Sequence, residues 1–306
     1  MKKQDLDMAR YVLTMQSHVA YGFVGNTAAV FPLQRMGFTP IVVNTVQFSN
    51  HTGHPTFRGA VFSKEHLLDV IQGLRERELF PKIEGLLTGY LGDVQTGEII
   101  LDLAKEIKTA NPKALWCCDP VLGDTGPGVY VRPEIQGFMK DEMLQGIADI
   151  TTPNQFELEL LSGKKLTSRE DAVATARKLF CSHGCRTVFV TSLRTPDVPE
   201  NEIDTLAVTK DEAWIVKTPF IKMAGEQEGA AGTMTAVAGQ GDVFTSVAFG
   251  TLLLTNNLKE ALEHAVSTLY MLVKLTPKGS LDLPLIEAQK EITAPSIRFA
   301  AEKINV

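Results

Sequence analysis

The amino-acid sequence predicts an α/β protein: a central, mostly parallel sheet flanked by helices, with a hairpin at one edge. Three observations carry this expectation. Short apolar runs alternate with amphipathic stretches along the chain, the pattern of βαβ units. Several of those runs are rich in Val and Ile and nearly unbroken, as strands covered on both faces are. Two later runs flank the short polar break Lys210-Asp-Glu, which suits a tight reversal.

Taken in order, residues 11–15 form the first strand and residues 26–36 a helix that Gly37 stops. Residues 41–46 are the second strand, and 64–77 a helix by the spacing of its apolar residues. Residues 85–87 and 94–109 repeat the strand-then-helix pattern, and Leu115–Cys118 and 147–151 supply two further strands. Thr167-Ser-Arg-Glu170 reads as a capping box opening a helix over 169–181. Residues 187–191 are the sixth strand, and 205–209 with 213–217 form the edge hairpin. The stretches 242–254, 258–274 and 283–290 make a helical C-terminal region, while 224–241, rich in Gly and Ala without a period, reads as a mobile loop running into a tight turn.

A chain of 306 residues, 44% hydrophobic and 22% charged, can bury a sizeable core, and a single domain over 1–306 is expected. The net charge of −6 and the lack of any Lys/Arg run argue against a nucleic-acid partner. Residues 243–258 are uncharged over 16 positions but carry Thr, Ser and Asn, and a membrane span needs about 20 apolar residues. Met1-Lys-Lys-Gln-Asp-Leu-Asp lacks the apolar segment of a signal peptide, so a cytoplasmic location is expected. Four cysteines, Cys117, Cys118, Cys181 and Cys185, are too few for a disulfide scaffold and lack zinc spacing.

Ligands of open α/β sheets sit at the carboxyl ends of the strands. The residues after each apolar run here are polar: Gln16-Ser17-His18, Gln47-Phe48-Ser49-Asn50-His51-Thr52-Gly53, Thr88-Gly89-Tyr90, Asp119-Pro-Val-Leu-Gly-Asp124, Thr152-Pro-Asn154-Gln-Phe-Glu157 and Thr191-Ser192. Gly239-Gln240-Gly241-Asp242 opens an apolar helix, where free amides and the dipole bind anions. Asp242 either caps that helix or serves as general base beside a transferred phosphoryl group. Asp119 and Asp124 suit a hard cation such as Mg²⁺ carrying nucleotide phosphates, or an Asx turn. Asn154 and Glu157 stand one helical turn apart, placed to hold a phosphate or metal-bound water, or simply to cap. His18 reads as an ordinary hydrogen-bonding residue. Phe48 and Tyr90 offer ring faces to an aromatic substrate or pack in the core.

On these residues the chain resembles the pyridoxal kinases of the ribokinase-like superfamily. The resemblance runs from about residue 11 to 272. Its most specific pieces are Gln16-Ser-His-Val, Gly22-Phe-Val-Gly-Asn26, Val43-Asn-Thr-Val-Gln-Phe-Ser-Asn-His-Thr-Gly53, Asp119-Pro-Val-Leu-Gly-Asp124 and Thr152-Pro-Asn-Gln-Phe-Glu157. It implies a ribokinase-like fold, usually in a homodimer, and ATP-dependent phosphorylation of the 5′-hydroxymethyl group of a B6 vitamer in pyridoxal phosphate salvage. By the resemblance, Ser17, Val24, Thr52 and Tyr90 would hold the vitamer, and Asp242 would accept the hydroxyl proton. Asp124 would help hold Mg²⁺, while Asp119, Thr152 and Thr191 would suit a monovalent cation, K⁺. Asn154, Glu157, Thr191 and Ser192 would line ATP, with Gly239, Gln240 and Gly241 forming the anion hole.

The family's anion hole usually reads Gly-Thr-Gly-Asp, and Gln240 departs from it while keeping the backbone amide. Two alternatives stand beside the resemblance. A hydroxymethylpyrimidine kinase of thiamine biosynthesis would tend to carry cysteine at Asp242. A non-catalytic pyridoxal phosphate carrier would have lost that base.

Overall fold

The computed structural model describes residues 9–145, 148–222 and 237–304. In chain order the strands and helices are β1 (Arg10–Val19), α1 (Asn26–Arg35), β2 (Phe38–Phe48), β3 (Gly59–Val61), α2 (Lys64–Glu76), β4 (Ile83–Thr88) and α3 (Val94–Ala110). There follow β5 (Leu115–Cys118), β6 (Gly123–Asp124), β7 (Gly128–Val129), α4 (Pro133–Phe138), β8 (Ile150–Thr151), α5 (Gln155–Ser162), α6 (Arg169–Leu179) and β9 (Thr187–Leu193). The chain closes with β10 (Glu202–Val208), β11 (Ala213–Pro219), α7 (Gln240–Thr255), α8 (Leu258–Leu275), α9 (Lys290–Thr293) and β12 (Glu302–Ile304).

Among the described residues, ten strands form one sheet in the order β12-β11-β10-β9-β8-β5-β4-β1-β2-β3. The centre, from β9 to β2, is parallel, and the strands added outside it at both edges are antiparallel. Successive residues of a strand point to opposite faces, and the two cores obey that rule. Leu13, Met15, Leu86, Trp116 and Cys118 join one core, which α2, α3 and α6 cover. Val12, Leu87, Cys117 and Phe189 join the other, packed against α1, α7 and α8. Trp116 and Phe189 are fully buried, and burial of a side chain of that class contributes about 1.5–3 kcal/mol.

The alternation of strands and helices is as expected, with four corrections. The hairpin β10–β11 forms, yet β12 pairs outside it and takes the edge. The helix α6 is capped by Ser168, which accepts from the Asp171 amide at 3.1 Å, rather than by a Thr167–Glu170 box. Thr167 is instead engaged by the Asp171 carboxylate. Over 283–290 no continuous helix forms: the Ala288 amide reaches Pro284, but the other bonds there are shorter turns, and the helical turn starts only at Lys290. The loop holding Asp119 and Asp124 is partly a small hairpin, β6–β7. Strand β8 is described only over Ile150–Thr151, Ile147 lying outside the described residues, as do 224–236 of the expected loop and the N-terminal seven residues. Cys117, Cys118 and Cys185 are buried, and all four cysteines are free thiols. No helix among the described residues is long and apolar enough to cross a membrane.

Candidate active site

The carboxyl ends of β1, β2, β4, β5, β8 and β9 open on one rim of the sheet, and α7 begins there. Its N-cap is Gly239, held at φ 79° with no side-chain cap hydrogen bond. A β-carbon at Gly239 would collide with the Phe23 carbonyl oxygen, so the turn demands glycine twice over. The first-turn amides of α7 are thus left to a ligand. Gln240 turns its side-chain amide back to donate to the Val237 carbonyl at 2.9 Å. Asp242 stands in the first turn without capping it, so the capping reading of this residue fails. Its carboxylate accepts the Gly25 backbone N–H, and burial outweighs that bond to raise its pKa.

Beside this turn lies a nest of acids. Asp119 follows β5 directly, buried, with its pKa pushed well up by burial and then by the Asp242 charge. The nearby hydroxyls of Thr152 and, to a lesser degree, Thr245 oppose that shift, and their oxygens lie 2.9 Å apart. Glu157 is buried too, its pKa raised by burial first and by Asp119 second. It accepts backbone N–H groups from Leu122 at 2.9 Å, Gly123 at 3.4 Å and Asn154 at 2.9 Å. Asn154 in turn accepts the Glu157 amide at 2.8 Å, completing a capping box on α5. The capping reading of this pair is therefore realised. Asp124 accepts the Thr125 amide at 2.7 Å, and burial raises its pKa.

Among the described residues no three His, Cys, Asp or Glu side chains converge into a metal cage. The carboxylates of Asp119 and Asp124 are hard oxygen donors of the kind that hold Mg²⁺ together with nucleotide phosphates and water.

Toward β1, the register with β2 slips by one residue between Gln16 and His18, beside Ser17. Ser17 is buried against Gly25. Val24 donates its N–H to Thr27 at 3.0 Å, closing the turn before α1. Beneath it Asn26, buried, accepts from Thr14 at 2.8 Å and donates to the Val43 carbonyl at 3.0 Å and Asn44 at 2.8 Å. Tyr90 is half-buried, its carbonyl taken by the Thr45 hydroxyl at 3.0 Å, and burial raises its pKa. Thr52 is exposed in the loop after β2, and Phe48 packs on Phe57 with ring centres 5.2 Å apart. Thr191 donates its N–H to Pro153 at 3.0 Å, which brings it beside Asn154, and Ser192 adopts a left-handed φ of 55°. The acids, the α7 turn and the Ser17–Gly25 pair are thus contiguous, and Thr52 is exposed on the loop after β2.

Sequence motifs miss two contributors. Thr245 sits one turn into α7, where an apolar run hides it; its i+3 spacing from Asp242 is the only signal. Tyr130 comes directly after β7, and its N–H donates to Leu122 at 3.1 Å. Though half exposed as a residue, its phenol is held far above its ordinary pKa by burial and then by Glu157, Asp124, Asp119 and Asp242. Nothing in the local sequence marks it, because the β6–β7 segment carries no strand period.

The chain matches the phosphomethylpyrimidine kinase family over residues 82–280. The pyridoxal kinase PdxY of Rubrobacter xylanophilus is 42% identical over 295 residues, covering 96% of this chain and 97% of that protein. Among solved structures, the pyridoxal kinase of Entamoeba histolytica superposes with a TM-score of 0.85 at 29% identity, covering 97% of this chain and 100% of the other. The pyridoxal kinase of Leishmania donovani in complex with ADP and pyridoxamine does so with a TM-score of 0.85 at 27% identity, over 97% of this chain and 100% of that one.

Proposed function

From the premise that this chain belongs to the pyridoxal kinases, within the wider phosphomethylpyrimidine kinase family, we propose that it moves the γ-phosphoryl group of ATP onto the 5′-hydroxymethyl group of pyridoxal, pyridoxine or pyridoxamine. It is a kinase with an alcohol acceptor, of ribokinase-like fold, and 1–306 act as one catalytic domain in the cytoplasm. The observation that carries this reading is the uncapped start of α7 with Asp242 in its first turn, tied to Gly25 and so to Ser17.

Ser17, Val24 and Tyr90 hold the vitamer ring, with Thr52 brought in from its loop. Asp242 takes the hydroxyl proton as that oxygen bonds to the γ-phosphorus and the bond to the ADP oxygen breaks. A raised pKa suits a base that must both accept and later surrender a proton. The amides of Gly239, Gln240 and Gly241 stabilise the charge on the transferred group. Asn154, Glu157, Thr191 and Ser192 line the nucleotide. Asp124 would hold Mg²⁺, which would neutralise the nucleotide phosphates, and Asp119, Thr152 and Thr191 would suit K⁺. Gln240 is tolerated because its side chain bonds Val237 and stays clear of the amides. We also propose a homodimer, which would cover Tyr21, Val42 and Leu275 around a surface cavity of about 930 Å³.

A second reading, hydroxymethylpyrimidine phosphorylation, is favoured by the family match over 82–280. Purified protein assayed with each vitamer and with hydroxymethylpyrimidine, in Mg²⁺ and K⁺, decides between them. Turnover strongest with a vitamer is expected. Turnover with the pyrimidine alone would move the enzyme to the other alcohol, and tight vitamer binding without ATP consumption would make it a carrier.

A further inference from the structure

Asp282 lies some forty residues beyond the catalytic turn, in the segment between α8 and α9, and no motif marks it. Its carboxylate accepts the Phe23 backbone N–H at 3.0 Å. Gly22 leaves room for it: φ there is 95°, and a β-carbon would stand 2.6 Å from the Asp282 Oδ1. The backbone around Asp282 is itself braced, since the Ser280 hydroxyl donates to its carbonyl at 2.8 Å and accepts its N–H at 3.2 Å. From the same segment the Leu281 carbonyl accepts the Ala238 N–H at 2.9 Å, and Ala238 and Asp282 pair as a parallel bridge.

One short strut therefore grips both halves of the site. Through Phe23 it holds the turn 22–25, whose Gly25 lies against Ser17 and donates to Asp242. Through Ala238 it holds the residue before Gly239, which starts α7 against the Phe23 carbonyl. A carboxylate accepting a backbone amide is a charge-assisted bond, stronger than a neutral one. Placement errors of about 1 Å at a reacting centre cost on the order of a hundredfold in rate. We propose that Asp282 is a positioning residue for phosphoryl transfer, fixing the vitamer-side turn at its working distance from Asp242 and the anion hole. This rests on the kinase reading.

The carboxylate of Asp282 bonds the vitamer turn through Phe23 and none of Asn154, Glu157 and Thr191 on the nucleotide side. Asp282→Ala should therefore lower kcat and raise the KM for vitamer, together by roughly tenfold or more in kcat/KM, and leave the KM for ATP within about twofold. Asp282→Asn keeps an oxygen for the Phe23 N–H and should recover most of the loss. Equal loss in the Asn and Ala variants, or equal rises in both KM values, would each overturn the proposal. Wild-type turnover in the same assay keeps the two readings apart: an inactive wild type defeats the kinase reading, while an Asp282→Ala enzyme equal to an active wild type defeats only the positioning role.

Discussion

Asp242 has a bond to Gly25 but no part in capping α7, and this makes its removal a test of chemistry and not of folding. Asp242→Asn keeps an acceptor for the Gly25 N–H and loses the base, so kcat should fall by roughly 10²–10⁴ with little change in melting temperature. Turnover within threefold of wild type would remove Asp242 from the mechanism. At this scale the sequence is informative wherever a residue belongs to a contiguous motif, as Asp119, Glu157 and Asp242 do. It is silent on Tyr130, whose segment is too short to show a strand period, and on Asp282, whose partner Phe23 lies 259 residues away in the chain. For Asn154 and Glu157 residue type and spacing fit a cap and a ligand equally, and the bonds from Leu122 and Gly123 that set Glu157 in the acid nest are long-range.

At the scale of elements, the start of α7 depends on one backbone conformation. Gly239→Ala forces a side chain into the left-handed region, at about 1–2 kcal/mol, and drives its methyl group into the Phe23 carbonyl. We expect a lower melting temperature together with loss of at least tenfold in kcat/KM, because the amide cradle and the turn 22–25 move apart. A variant with full activity would show that the helix start is not set by Phe23. Long amphipathic helices and unbroken Val/Ile runs are legible in the sequence, since their period reports directly on burial. Short pieces are not. β3, β6, β7 and β12 span two or three residues each, too few for a period to emerge, and their pairing is decided by tertiary contacts. Residues 283–290 have helical spacing, yet their buried residues Leu283, Leu285 and Ala288 serve an irregular chain.

Across the whole molecule, the parallel sheet collects Asp119, Asp124, Glu157 and Asp242 at one rim, and burial raises the pKa of each. Their folded pKa values lie above the unfolded ones, so the folded state holds more protons from the ordinary carboxylate range near 4 upward. The associated stability is present below that range and is lost as pH rises through the raised values. The metal-free protein should thus melt lower at pH 8 than at pH 6. Asp119→Asn, which deletes one buried charge, should raise the melting point at pH 8 by about 2 °C or more while reducing turnover. A flat melting profile, or an Asn variant less stable at pH 8, would contradict the account. On the proposed reading, in which Asp124 holds Mg²⁺ and Asp119 a monovalent cation, a cation arriving there would displace the protons these carboxylates retain. Cation affinity and acidity would then be two readings of a single equilibrium, and the concentration of cation needed would grow as the medium becomes more acid.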